Sequence, residues 1–180
     1  MMPRIFRPAL AVLGAAFLLA GCNNPRVTLC PGAAILADTA IRPVLKPGAV
    51  AADPSALLYT VEMTGVTQGC RLDTRAGEAT SEIRLSFRAT RMPTGQPARY
   101  VVPYFVAVNQ GERIISKRAF NITLDFPAGA TVVTFSTEIA GSVLKLENGR
   151  LPTDYQYLAG LEVSEAERGY LLAMTGRAAP

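Results

Sequence analysis

The chain has 180 residues, 49% of them hydrophobic, a formal charge of +4, and neither histidine nor tryptophan. Lack of histidine removes Ser-His-Asp triads, Cys-His dyads and the common zinc sites together. The 18 lysines and arginines stand against 14 acids and form no concentrated footprint, which argues against nucleic acid as a partner.

Arg4 and Arg7 lead into an apolar run from Pro8 to Leu18 that ends in Leu19-Ala20-Gly21-Cys22. A charged start, a short apolar stretch and small residues before a cleavage point mark a secretory signal. The run is well short of the roughly 20 residues a helix needs to cross the hydrocarbon core. Leu-Ala-Gly-Cys resembles the lipobox of bacterial lipoprotein precursors. That resemblance implies that 1–21 is a signal peptide and that Cys22 carries a thioether-linked diacylglycerol, followed by acylation of its new amino group. One myristoyl chain, at about 0.8 kcal/mol per buried methylene, binds reversibly, whereas two or three chains hold stably. The membrane is thus an expected partner through the lipid on Cys22. Asn23 stands where an aspartate would favour inner-membrane retention, so the resemblance implies the periplasmic face of the outer membrane. Without Arg4 and Arg7 the side-chain charge falls from +4 to +2, and the roughly 160 residues left suit one domain.

Residues 22–29 read as the lipidated cysteine and a tether, and 30–180 as that domain. Cys30 and Cys70 are the remaining cysteines, an even pair in an oxidising compartment, so a disulfide is expected. Closing a loop of about 40 residues stabilises by roughly 4 kcal/mol in the chain-entropy model. The alternative, a reactive or metal-binding thiol pair, lacks C-x-x-C spacing and a histidine partner.

From there apolar residues recur at period two, the signature of half-buried strands. Leu57, Tyr59, Val61 and Met63 share one face, against Thr60 and Glu62 on the other. A polar loop is expected from Gly69-Cys70 to Ser81. Ile83, Leu85, Phe87 and Ala89 then alternate with Glu82, Arg84, Ser86, Arg88 and Thr90, as in an antiparallel sheet with one wet side. Tyr100 to Val108 is apolar on both faces and reads as a central strand, though Pro103 points to an edge position or bulge. Asn109-Gln110-Gly111 closes a hairpin. Glu112 to Phe126 is long for one strand and is expected to bend near Arg118, after which Ile122, Leu124 and Phe126 alternate with Asn121, Thr123 and Asp125. After the Pro127-Ala128-Gly129 turn, Val133, Phe135, Thr137 and Ile139 form another face, and Tyr155, Tyr157, Ala159 and Leu161 a last one. Ser164-Glu165-Ala166-Glu167 is a capping box, predicting a helical turn or two before Gly169 weakens propagation.

Seven or eight short strands predict an all-β fold, an immunoglobulin-like or fibronectin-like antiparallel β-sandwich with a short C-terminal helical turn; a small β-barrel is the alternative. The topology is not readable. Val101 to Asn109 together with Tyr157 to Glu165 resembles a group of small alphaproteobacterial lipoproteins without an assigned activity. The resemblance implies an envelope module and adds no catalytic residue.

Catalytic candidates are few. Ser142-Val143-Leu144-Lys145 has the S-x-x-K spacing of penicillin-recognising enzymes, but no Lys-Thr-Gly follows it, and a strand with Val143 in the core and Ser142 and Lys145 near solvent accounts for it. Glu165 and Glu167 are neighbouring acids that the capping box explains. Arg84 and Arg88, with Arg91 as a further member, share the polar side of one strand and form a possible ligand face for an anionic sugar or carboxylate; a solvated sheet face with Glu62 and Glu82 is the competing reading. Tyr155 and Tyr157 read as core residues before a glycan-stacking platform, and Asn121-Ile122-Thr123 as a chance sequon. No cofactor, metal or catalytic residue is read from the chain. The expectation is a non-catalytic, lipid-anchored structural or assembly factor acting through an envelope protein partner. Its alternatives are a carboxylate-dependent hydrolase of envelope polymers and a glycan- or peptidoglycan-binding module.

Overall fold

Alternation of apolar and polar residues builds two layers, and the computed structural model describes them over residues 29–49 and 53–175. The elements are β1 (Gly32–Ile35), β2 (Ile41–Leu45), β3 (Leu57–Asp73), β4 (Glu78–Arg91), β5 (Ala98–Gln110), β6 (Arg113–Phe126), β7 (Val132–Lys145), β8 (Tyr155–Leu161) and helix α1 (Glu165–Thr175). One sheet has the order β1-β8-β5-β6 and the other β2-β3-β4-β7. All pairings are antiparallel except that of β1 with β8. Among the described residues no ladder joins the sheets, so the architecture is the β-sandwich and not the barrel.

The two inner faces supply one core. Tyr59, Val61 and Met63 of β3 and Ile83, Leu85, Phe87 and Ala89 of β4 are buried, as their alternation requires. They meet Val102, Tyr104 and Leu124 of the other sheet and the β8 face of Tyr155, Tyr157, Ala159 and Leu161. Aromatic pairs stitch the layers: Tyr59 stacks on Tyr100 at 4.3 Å between centroids, and Phe87 meets Tyr104 edge-on at 5.7 Å. Such pairs contribute about 0.5–1.5 kcal/mol each beyond their area.

Several expectations are corrected. Gly69 to Ser81 is not a polar loop: β3 and β4 pair continuously from Tyr59↔Arg91 to Asp73↔Glu78, leaving a tight turn that ends in Gly77 at φ 65°. An extra residue in β3 between Met63 and Gly65 shifts the inward set from odd to even positions, so Val66, Gln68, Cys70 and Leu72 become the half-buried ones. A bulge does this by inserting one unpaired residue. β7 does the same: three residue steps, from Ile139 to Ser142, span the two from Ile83 to Ser81, with Gly141 at φ 67°. Val143 is consequently exposed, and Leu144 takes the core position expected of it.

Nor does β6 break near Arg118. Its first half pairs with β5 although residues 113–119 are all exposed, because main-chain bonding continues where side-chain burial stops. Pro103 lies in a central strand in regular register, and the irregularity of its ladder with β6 falls further on, at Val108 and Asn109. Its carbonyl accepts from Glu162 N at 3.1 Å, and the β8 ladder begins only at Tyr104, so the missing donor falls where that ladder ends. β1 and β2 are additional to the strands read from the sequence; both are short, and Pro43 interrupts the second.

The helix is longer than a turn or two, running 11 residues despite Gly169. Glycine costs about 1 kcal/mol there, which is offset by burial of Tyr170 and Glu167 against β2. The capping box forms in both directions: Ser164 N donates to Glu167 Oε2 at 2.8 Å, and Glu167 N to Ser164 Oγ at 3.3 Å.

Candidate functional site

Cys22, the expected lipidation site, lies outside the described residues. Cys30 and Cys70 are joined in a disulfide, with their Cα atoms 5.7 Å apart. Because Cys70 belongs to β3, the bond fastens the entry of the chain to a central strand three residues from its end.

Arg84 and Arg88 share the outer face of β4, but Arg91 does not, since it stands at odd parity and points inward. Buried there, its guanidinium donates from Nε to Ala130 O at 2.9 Å and from Nη2 to Gln96 O and Pro127 O at 2.7 and 3.2 Å. It also lies 4.6 Å from the centre of the Phe126 ring. Arg91 is therefore a structural clasp for two loops. Position parity along the strand is the signal that separates it from the other two.

Arg84 is 60% exposed and donates to Glu138 Oε2 at 2.7 Å, with Glu82 at 3.9 Å. The Arg84 hydrogen bond holds the Glu138 carboxyl below its ordinary pKa. Arg88 pairs across the ladder with Glu62 and forms no ion pair among the described residues. The open depression beside Arg84 is lined by Thr67, Gly69, Arg71, Glu82 and Gly141. Its floor is the bulged part of the sheet, where two glycines leave no side chain.

The S-x-x-K residues lie in β7, not at a helix start, and Ser142 and Lys145 project to opposite faces. Glu167 is engaged by Arg42 Nε at 2.9 Å. Tyr155 is buried, its hydroxyl accepting from Glu147 N at 2.9 Å, and Tyr157 is buried beside it in the core. Among the described residues no group of three or more Cys, Asp or Glu side chains converges as a metal site, and no helix is long and apolar enough to cross a membrane.

The flanks of the sandwich differ most. On one flank the edge strands β1 and β2 have 4 and 5 residues; α1 packs against β2, and the 3-10 turn Ala37–Thr39 lies against β2 and β8. On the other, β6 and β7 are edges of 14 residues each, and among the described residues nothing pairs with their outer sides. β6 carries Arg113, Lys117 and Arg118, the kind of charge that discourages pairing at an edge. From Val132 to Ala140, β7 carries one charge, Glu138.

Comparison of the chain with protein-family models, with curated proteins and with solved structures finds no match.

Proposed function

We propose that this protein is a non-catalytic module of the bacterial envelope, anchored by lipid on Cys22 at the periplasmic face of the outer membrane, that works by holding a protein partner along the β7 edge. The observation that carries the reading is the contrast between the flanks: two short edges on one side, that of β2 covered by α1, and two long, open ones on the other. A long, weakly charged edge presents a row of unpaired N–H and C=O groups, which an extended segment of a partner satisfies by adding a strand. The pairing of Arg84 with Glu138 favours this over an anion-binding face on β4.

A photo-crosslinking residue placed at Ser136, on the β7 edge, tests the contact in living cells. It should capture one discrete envelope protein, whereas the same probe at Lys46, in the loop after β2, should not. No adduct from Ser136, or equal adducts from both positions, would overturn the edge assignment. The anchor is tested separately: wild-type protein should incorporate a palmitate analogue, and Cys22→Ser should accumulate as unlabelled precursor. Labelling that survives Cys22→Ser would reject it.

A further inference from the structure

The described chain starts at Leu29, and that point belongs to one particular end of the sandwich. Gly32 pairs with Gln156, which pairs in turn with Asn109 near the end of β5. Leu146 N donates to Gly77 O at 2.8 Å, and Arg113 pairs with Glu147. Both long hairpin tips, the 146–154 loop and the disulfide therefore share this end. Seven residue steps separate Cys22 from Leu29, a reach of at most about 25 Å when fully extended. A lipid on Cys22 would hold this end, and not the opposite one, against the bilayer.

The surface there is suited to that position. Ile114 is 66% exposed, and Ile115, Leu151 and Leu29 are exposed with it. Ile115 is the extra, unpaired residue of a bulge beside Ile114, within a stretch where every residue from 111 to 119 is exposed. Arg71, Arg75, Arg118, Lys145 and Arg150 stand around them and form no ion pair among the described residues. Of the carboxylates at this end, Glu147 is held by Arg113, while Asp73 and Asp154 are fixed by main-chain N–H groups and keep their charge with Glu78 and Glu112, so the five unpaired cations exceed the four unpaired acids by one.

We infer that this end of the sandwich is a membrane-contacting surface, in which Ile114, Ile115 and Leu151 enter the headgroup boundary of a phospholipid bilayer while the surrounding cations meet its anionic headgroups. Apolar side chains ringed by basic ones bind such interfaces through both terms. Entry stays shallow, because the free N–H and C=O groups of the β6 edge cannot be left unsatisfied in hydrocarbon. The inference rests on the lipid anchor, and the experiment keeps the two apart.

The chain has no tryptophan, so a single introduced one reports only its own surroundings. Full-length lipidated protein carrying Ile114→Trp is reconstituted into vesicles of phosphatidylethanolamine and phosphatidylglycerol. Its emission should shift to the blue and fall by about half or more with lipids brominated high on the acyl chain, as for a side chain some 5–10 Å into the boundary. Met92→Trp, 69% exposed just after β4 at the opposite end, should show neither change. Equal quenching at both sites, or none at Ile114→Trp, overturns the inference. Palmitate labelling of the same preparation reads the anchor alone: labelled protein with an unquenched reporter loses the contact surface and keeps the anchor. Unlabelled protein with a quenched reporter does the reverse.

Discussion

Glu167 joins two elements through one carboxylate: Oε1 accepts from Arg42 of β2 and Oε2 from the Ser164 N–H that opens α1. Its side chain is 6% exposed and that of Arg42 is 16% exposed, so removing either partner strands a charge away from water. Glu167→Ala and Arg42→Ala should each cost about 3–5 kcal/mol. The double variant should cost clearly less than their sum, because the two groups share one interaction. Denaturant unfolding of the four proteins measures this, and strict additivity would dismiss the pair as a unit. Gly160 is the second sensitive position. A Cβ there would come within 2.1 Å of Thr39 Oγ1 and 2.7 Å of the Phe105 ring, so Gly160→Ala should destabilise by about 1–3 kcal/mol through overpacking. Thr39→Ala in the same chain should recover part of the loss; no recovery in the unfolding midpoint would show that the ring contact alone sets the cost.

Between elements, the Cys30–Cys70 bond is one constraint shared by two residues. Cys30→Ala and Cys70→Ala should each destabilise by about 2–5 kcal/mol, with the double variant no worse than either single. Free thiol in denatured, unreduced wild-type protein, or additive effects, would contradict the bond. The same scale explains what the sequence reveals. Ile83, Leu85, Phe87 and Ala89 lie in a stretch of β4 without a shift of inward parity, and period two places them inward correctly. In β3 and β7 the period holds until a bulge adds a residue, after which the same pattern assigns every side chain to the wrong face. That is why Gly69 to Ser81 reads as loop and Val143 as core. The helix reads short for another reason: local propensity counts Gly169 but not the burial of Tyr170, which depends on a strand more than 120 residues earlier.

For the molecule as a whole, the sandwich and its disulfide are legible in the chain, whereas its open flank is not, since which strands become edges is decided by pairings between distant segments. The aromatic core between the sheets has its own signature in pH. Burial pushes the Tyr59 and Tyr104 hydroxyls above their ordinary pKa. A group whose folded pKa is raised contributes stability that is complete below its unfolded value, about 10 for tyrosine, and is lost as pH rises through the raised value. Stability should therefore decline in the alkaline range, and Tyr59→Phe combined with Tyr104→Phe should flatten that decline. Equal alkaline slopes for wild type and double variant, in unfolding midpoints measured at stepwise pH, would assign the effect elsewhere. The cross-link near the chain's entry also sets how the domain bears mechanical load. A pull along the tether would otherwise be borne only by the four residue pairs of β1 with β8. With Cys30 bonded to Cys70, the force passes lengthwise into β3 instead. Its ladder with β4, which runs from Tyr59↔Arg91 to Asp73↔Glu78, is then loaded in shear, so that many hydrogen bonds must yield together before the anchored end comes away.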